Sequence, residues 1–574
     1  MTPPRTSTYM LSGLAFLLLL YCATSLAQDQ DAATIDDSDC TVFVEPGTSD
    51  FDISAVPQPA REVSFPEDAV IGEIVVTRYP IFNADDPEEN NRLFQLADFL
   101  HIDTRANVIQ NQLLFEPGDP LSSRILYESA RVLRDSDYLY DARVWPYRIC
   151  GNRVDVEVVT REVWTLTGGA SFSRSGGEDE TSVSISDSNF LGYGKTFSLA
   201  RTSSTDRDGI EFQYQDPNVG GGRHTLDLFY ADNDDGSHTT VEAERPFYSL
   251  DARRAWGMVY DSQERVDDLY DRGEEIASFQ SNVRRSEIYF GTSDGWRDGI
   301  TRRWWFGLHG RNESYSVADD EPAPEQLPVD REINYPFIGF DYIEEDFIQV
   351  SNLNHMHRIE DFNLGRTWGW RLGVADTEFG SDTDRLVYHA NVRNAWRLNA
   401  TTLMQLETDV SGMWRYGHNQ TEGSRWEASW RWYDGVGQQQ GTYLSLDMRY
   451  VRNLPANEQL LLGAEEQLRG YPVRYQSGDR SFIFSAERRF YTDWHWFRLL
   501  RVGGAVFFDV GRAWEPGDEN SGPTGILADA GFGLRIASSR AQAKRILHID
   551  FAFPFEHEDD IDGVQVLVTA KQSF

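Results

Sequence analysis

Three stretches of this sequence carry residue types at spacings that could do chemistry. Gly291-Thr292-Ser293-Asp294-Gly295 matches the Gly-x-Ser-x-Gly pattern of a nucleophile elbow, which raises a serine hydroxyl above a sheet for acyl transfer. An elbow needs a helix directly after it, whereas Trp296-Arg297-Asp298-Gly299 continues as a turn, so the stretch reads as a connection between strands. Gly192-Tyr193-Gly194-Lys195-Thr196 matches the end of a phosphate-binding loop, yet Asn189 stands where the first glycine belongs. His355-Met356-His357 would place both imidazoles on one face of a strand, and no third ligand lies nearby to complete a metal site. There is no His-Glu-x-x-His motif. The sequence therefore reads as a non-enzyme, with no catalytic residues, no metal ligands and no cofactor.

With no catalytic group to position, the elements themselves carry the information. Segments at 481–491, 502–512, 527–537, 546–555 and 564–574 each alternate with a period of two. In the second, Val502, Gly504, Val506, Phe508 and Val510 share an apolar face, and Gly503, Ala505, Phe507, Asp509 and Gly511 share the other. In the fourth, Leu547, Ile549, Phe551 and Phe553 lie opposite His548, Asp550, Ala552 and Pro554. A soluble sandwich turns its polar face to bulk water, whereas a membrane barrel turns its apolar face to lipid and its polar face to a lumen. From Trp164 onward about twenty such segments fill residues 164–574, separated by turns such as Asp234-Asp235-Gly236, which suits transmembrane strands of about 9–11 residues. Phe574 shares a face with Val564, Val566, Val568 and Ala570, so the last strand reads as lipid-facing to its end and favours the barrel.

Export supports the same choice. Arg5, the apolar run Leu11–Tyr21 and the small residues around Ser25-Leu26-Ala27 form a secretory signal peptide over residues 1–27. The bulky Tyr21 argues against lipid attachment at Cys22. No stretch reaches the ~18 apolar residues of a membrane helix. The chain has 46 Gly, 16 Trp, 25 Tyr and 33 Phe in 574 residues, a density of rings that suits interfacial girdles. Its formal net charge of −39 excludes nucleic acid as a partner, because a phosphate backbone demands clustered Lys and Arg. Most of that charge reads as solvated loops; Asp232-Asn233-Asp234-Asp235 is a candidate for holding divalent cations near lipid phosphates.

Residues 28–68 are acidic and contain Pro57, Pro59 and Pro66, an extended and largely disordered lead-in. After signal removal the only cysteines are Cys40 and Cys150, and an oxidising compartment favours their pairing over two free thiols. Residues 69–163 read as an α+β unit. Its strands are Ile71–Thr77, Asp141–Ile149 and Arg153–Glu162. Its helices are Pro87–His101, with Leu93, Leu96, Ala97 and Leu100 as the apolar stripe, Thr104–Phe115, with Thr104 as N-cap, and Ser122–Asp135, with Leu126, Ala130 and Leu133 on one face.

Asp187-Ser188-Asn189-Phe190-Leu191-Gly192-Tyr193-Gly194, Tyr214-Gln215-Asp216-Pro217, Leu468-Arg469-Gly470-Tyr471, Phe508-Asp509-Val510-Gly511 and Gly531-Phe532-Gly533-Leu534-Arg535 occur in an order that resembles the BamA/TamA superfamily of outer-membrane assembly and translocation barrels, the bacterial surface antigen family. The 69–163 unit resembles that family's POTRA domain. The likeness implies a membrane β-barrel at 164–574 in the outer membrane, behind one periplasmic POTRA domain. Two departures stand out: the named assembly factors carry several such domains, and the family barrel has sixteen strands. The likeness further implies that the Arg-Gly-Tyr loop enters the lumen, and that Arg469, with Gly470 and Tyr471, meets the lumen-face carboxylates Glu487 and Asp509. Phe574 becomes a signal read during insertion. The expected partners are outer-membrane lipids, unfolded outer-membrane or secreted polypeptides, and, as a candidate, a periplasmic accessory protein. The implied function is insertion or translocation of polypeptides, with clients captured by β-augmentation at the domain's sheet edge, for which Asp141–Ile149 is the expected strand. The alternative is a passive channel or surface antigen.

Overall fold

The computed structural model describes residues 40–47, 65–204, 206–319, 321–517, 525–541, 545–556, 560–571 and 573–574; the expected signal peptide and most of the expected lead-in lie outside these. Four strands, β1 (Cys40–Val42), β2 (Val70–Tyr79), β3 (Leu139–Cys150) and β4 (Arg153–Glu162), form a sheet in the order β1-β3-β4-β2. β2 and β4 run parallel, as a crossover through helices α1 (Arg92–Leu100), α2 (Ala106–Gln112) and α3 (Ser123–Asp135) requires. The stripe Leu126, Ala130 and Leu133 of α3 packs with Val108, Ile109 and Leu113 onto Ile71, Val156 and Val158.

Two local expectations are corrected. Thr104 does not cap α2; its hydroxyl donates instead to Glu162 (2.8 Å), and Arg105 occupies the cap position without a side-chain bond. The expected apolar stripe of the first helix is split: Ala97 packs with Phe82 and Phe94, and its three leucines do not. Asn91 caps α1, accepting from the backbone of Leu93 and Phe94, and this rotation buries Phe94 while Leu93, Leu96 and Leu100 stay exposed.

Twenty strands, from Leu166–Ser175 to Gln565–Lys571, close into one antiparallel barrel. The alternation had marked about this many, and the surplus over sixteen is built into the wall. Side chains such as Val183, Ile185, Leu199, Phe532 and Phe553 face outward, while Ser485, Glu487, Asp509, His548 and Asp550 are buried in the lumen. Closure is uneven. The last two strands register from Ile546 opposite Lys571 to Ala552 opposite Gln565, but among the described residues the last and first strands share one paired position, Val568 opposite Arg174.

The α/β unit sits against the turns at one end of the barrel, here called the proximal end. Arg124 pairs with Asp251, Arg540 with Glu89, and Arg105 donates its backbone N–H to the Gly192 carbonyl (3.0 Å). A hairpin, Phe347–Ser351 with Ile359–Asn363, joins two wall strands at the same end and folds inward. Arg134 of α3 forks onto Asp361 (2.8 Å to each oxygen), and Arg143 of β3 donates to Gln349 (2.6 Å). The tip of the hairpin reaches lumen side chains: Arg489 donates to the Leu353 carbonyl (3.2 Å), and Met356 packs with Tyr491 and Phe574. The hairpin thus lies across part of the proximal mouth, between the α/β unit and the wall.

A buried arginine loop in the lumen

The connection between the wall strands Gln440–Arg452 and Arg480–Trp496 lies at the distal end and folds back into the barrel. Its two arms pair briefly, Leu460–Leu462 with Gln476–Gly478, and deliver Leu468-Arg469-Gly470-Tyr471 to the lumen, where Leu468, Arg469 and Tyr471 are all buried. Gly470 is needed there because a Cβ at this position would come 2.6 Å from the Asp529 Cβ and 3.1 Å from the Pro554 nitrogen. The Tyr471 hydroxyl donates to the Ala528 carbonyl (2.9 Å) and accepts from the Ala528 N–H (3.0 Å), which pins the loop to the wall.

Arg469 is the centre of the cluster. Nε and Nη2 donate to the two oxygens of Asp509 at 2.7 and 3.0 Å, and Nη1 donates to Glu487 at 2.8 Å. The guanidinium plane also lies 3.5 Å from the centroid of Phe507. A fork on one carboxylate with a third bond to another uses the geometry that only arginine offers. Four further residues join: Arg489 donates to Glu487 (3.0 Å), Arg535 to Asp550 (2.5 Å), Asp550 lies 3.8 Å from Arg469, and Asp529 stands directly opposite Asp509 in the ladder. Adjacent carboxylates in a closed interior repel, so the arginines are what permit the acidic lumen face to be buried. The sequence pattern already held the signal for Arg489 and Asp550, since each is an even number of residues from a lumen carboxylate or imidazole. Arg535 lies in a quoted motif and opposite the lumen-facing Gly503.

Cys40 and Cys150 are joined in a disulfide that fastens β1 to the end of β3. Phe574 does not face lipid: the last strand ends at Lys571, the Phe574 N–H donates to the Asn354 carbonyl of the hairpin (2.7 Å), and the ring is buried 4.5 Å from that of Tyr491. The tail turns inward because the hairpin offers a carbonyl and the lumen an aromatic pocket, which face parity cannot register. His355 and His357 lie in the hairpin turn and not on a strand; the His357 ring meets the Thr492 carbonyl (3.1 Å). Ser293 belongs to the wall strand Glu274–Arg297, where its hydroxyl accepts from Gly295 N–H (3.0 Å), so it is in neither an elbow nor a free turn.

The fold and the lumen loop together define a transmembrane β-barrel whose interior is organised by an inward-folded loop. Residues 392–569, within the barrel, match the Omp85 superfamily domain. Among solved structures, CdiB from Acinetobacter baumannii is similar at 11% identity, over 88% of this chain and 74% of that one, with a TM-score of 0.45. BamA from Haemophilus ducreyi lacking POTRA domains 1–3 is similar at 12% identity, over 87% and 84%, with a TM-score of 0.35. CdiB from Escherichia coli is similar at 11% identity, over 91% and 94%, with a TM-score of 0.36. No curated protein matches the chain.

Proposed function

We propose that this chain assists the insertion or translocation of polypeptides at the outer membrane, with its α/β unit acting as a single periplasmic POTRA domain. The observation that carries this reading over a passive channel is the state of the lumen. The Arg469 loop is folded into it against the wall strands that carry Glu487, Asp509 and Ala528, the 345–366 connection and Phe574 occupy part of its proximal mouth, and the α/β unit lies beneath. A passive pore needs an open lumen, whereas a machine that passes chains through a loosened wall or a displaceable plug does not. The single paired position at the seam offers such a wall.

The capture strand expected from the sequence is corrected. The edge of β3 is taken at one end by Cys40–Val42 and approached at the other by Arg358, which donates to the Tyr140 carbonyl (3.0 Å). Client capture is assigned instead to β2, the opposite edge of the sheet, where residues 73–79 have no neighbouring strand on their outer side among the described residues. A photoreactive side chain at Val75 should capture unfolded barrel precursors or secreted chains in cells, and the purified full-length protein should conduct poorly in planar bilayers. Steady, porin-like conductance with no polypeptide captured would instead establish the passive channel.

A further inference from the structure

α1 exposes an apolar face that nothing among the described residues covers. Phe99 is 83% exposed, and Leu93, Leu96, Leu100 and the adjoining Ile102 are exposed as well. Between Arg92 and Leu100 the exposed positions are these leucines, Phe99, Arg92 and Gln95, with no carboxylate, in a chain of net charge −39. A contiguous patch of this kind marks a binding surface.

Its neighbours on both sides belong to the outward face of the barrel. On one flank is the turn 188–195. There Gly192 touches α1's extension so closely that a Cβ would lie 3.4 Å from Ile102 Cγ2 and 2.5 Å from the Asp103 carbonyl oxygen. This turn exposes Leu191 and Phe190, and the Phe190 ring runs into those of Phe197 (5.8 Å) and then Phe212 (5.4 Å) on the lipid-facing wall. On the other flank, Phe94 stacks on Phe82 (4.1 Å) in a cluster that includes Leu499. Leu499 follows Trp494, Trp496 and Phe497, all exposed, the last at 81%. Trp and Phe at this depth form the interfacial girdle of a barrel. The exposed face of α1 bridges two patches of that girdle, beside Trp164, which leads into the first strand and the sparsely paired seam.

We infer that α1 is an interfacial helix: Leu93, Leu96, Phe99, Leu100 and Ile102 enter the headgroup and acyl boundary of the proximal phospholipid leaflet, next to the seam. A short amphipathic helix with large apolar side chains and a flanking arginine is suited to that depth, and Arg92 is placed to meet lipid phosphate. The helix would thereby fasten the α/β unit to the membrane beside the sparsely paired seam.

The test uses the full chain in phosphatidylethanolamine/phosphatidylglycerol vesicles with some acyl chains carrying a doxyl quencher. An environment-sensitive fluorophore is attached to a single introduced cysteine, the native pair being disulfide-bonded. Phe99→Cys and Leu96→Cys should show blue-shifted emission and quenching comparable to Val183→Cys on the barrel exterior. Glu116→Cys is the aqueous reference. It lies in the turn whose Asp119 carbonyl binds Ile71, at the end of the sheet away from the barrel. Heat-modifiability confirms that each labelled barrel is folded, and both α1 positions are solvent-exposed, so labelling should not disturb the core. Emission at Phe99 and Leu96 matching Glu116, with no quenching, overturns the inference. Shielding that appears only when an unfolded polypeptide is added overturns it too, and assigns the face to clients.

Discussion

Replacing Arg469 by alanine probes whether the lumen cluster is a charge-balanced unit. The side chains of Arg469, Glu487 and Asp509 are 4%, 8% and 0% exposed, so solvent screens their interaction little. Removing the guanidinium leaves Asp509 opposite Asp529 with no cation on it, while Glu487 keeps its bond from Arg489 at 3.0 Å. Breaking a buried cluster by deleting one partner costs about 3–5 kcal/mol. Loss of the contact with Phe507 adds to this, about 2 kcal/mol for a desolvated cation over a ring. The barrel should still close, because Tyr471 remains bonded to Ala528 and the wall ladders are untouched. Arg469→Ala combined with Asp509→Asn should be less damaging than the sum of the two single changes, by about 2 kcal/mol, since both remove one contact. Arg469→Lys should fall between wild type and Arg469→Ala, keeping the charge and losing the fork. The assay is the urea midpoint of heat-modifiability in vesicles, with limited proteolysis between Gly463 and Arg474 reporting on the loop and client accumulation on function. Additivity within about 0.5 kcal/mol, or a loop as protease-resistant without Arg469 as with it, would refute the cluster as the loop's anchor.

Cys150→Ser should release β1 from β3 and lower the unfolding free energy of the α/β unit by about 2–4 kcal/mol, measured by thermal unfolding with and without reductant. Phe574→Ala should cost about 3–5 kcal/mol at the buried ring, and Phe574→Asp, placed against the hairpin, should reduce the amount of heat-modifiable barrel in the outer membrane; normal levels would show that neither the packing nor the terminal aromatic matters. Replacing residues 347–363 by a short Gly-Ser turn should raise single-channel conductance, with the wall intact because Phe337–Ile343 still pairs with Thr367–Gly373. Unchanged conductance would mean that the hairpin does not obstruct the lumen.

Alternation is a local property, and what depends only on it was legible in the sequence. Parity put Glu487 and Asp509 on the lumen face and Phe508 and Phe553 on the lipid face, and counting alternations gave about twenty wall segments. The strand, helix and strand order of the α/β unit followed from periods of 2 and 3.6 in the same way. Alternation alone does not give partnership, which depends on register between strands distant in the chain; the pairing of Arg469 with Glu487 and Asp509 was expected from the family likeness, whereas Asp529, Arg535 and Asp550 were not named as partners. Arg469 meets Asp509 across 40 residues, and Asp529 becomes a neighbour of Asp509 only once the ladder is set. Parity also fails where a strand stops: Phe574 would face lipid if the last strand continued, but past Lys571 the tail follows the hairpin carbonyl into the lumen. In α1 the helical period revealed an apolar stripe, and only the structure showed that Leu93, Leu96 and Leu100 stay exposed, since an amphipathic pattern does not record what a face packs against.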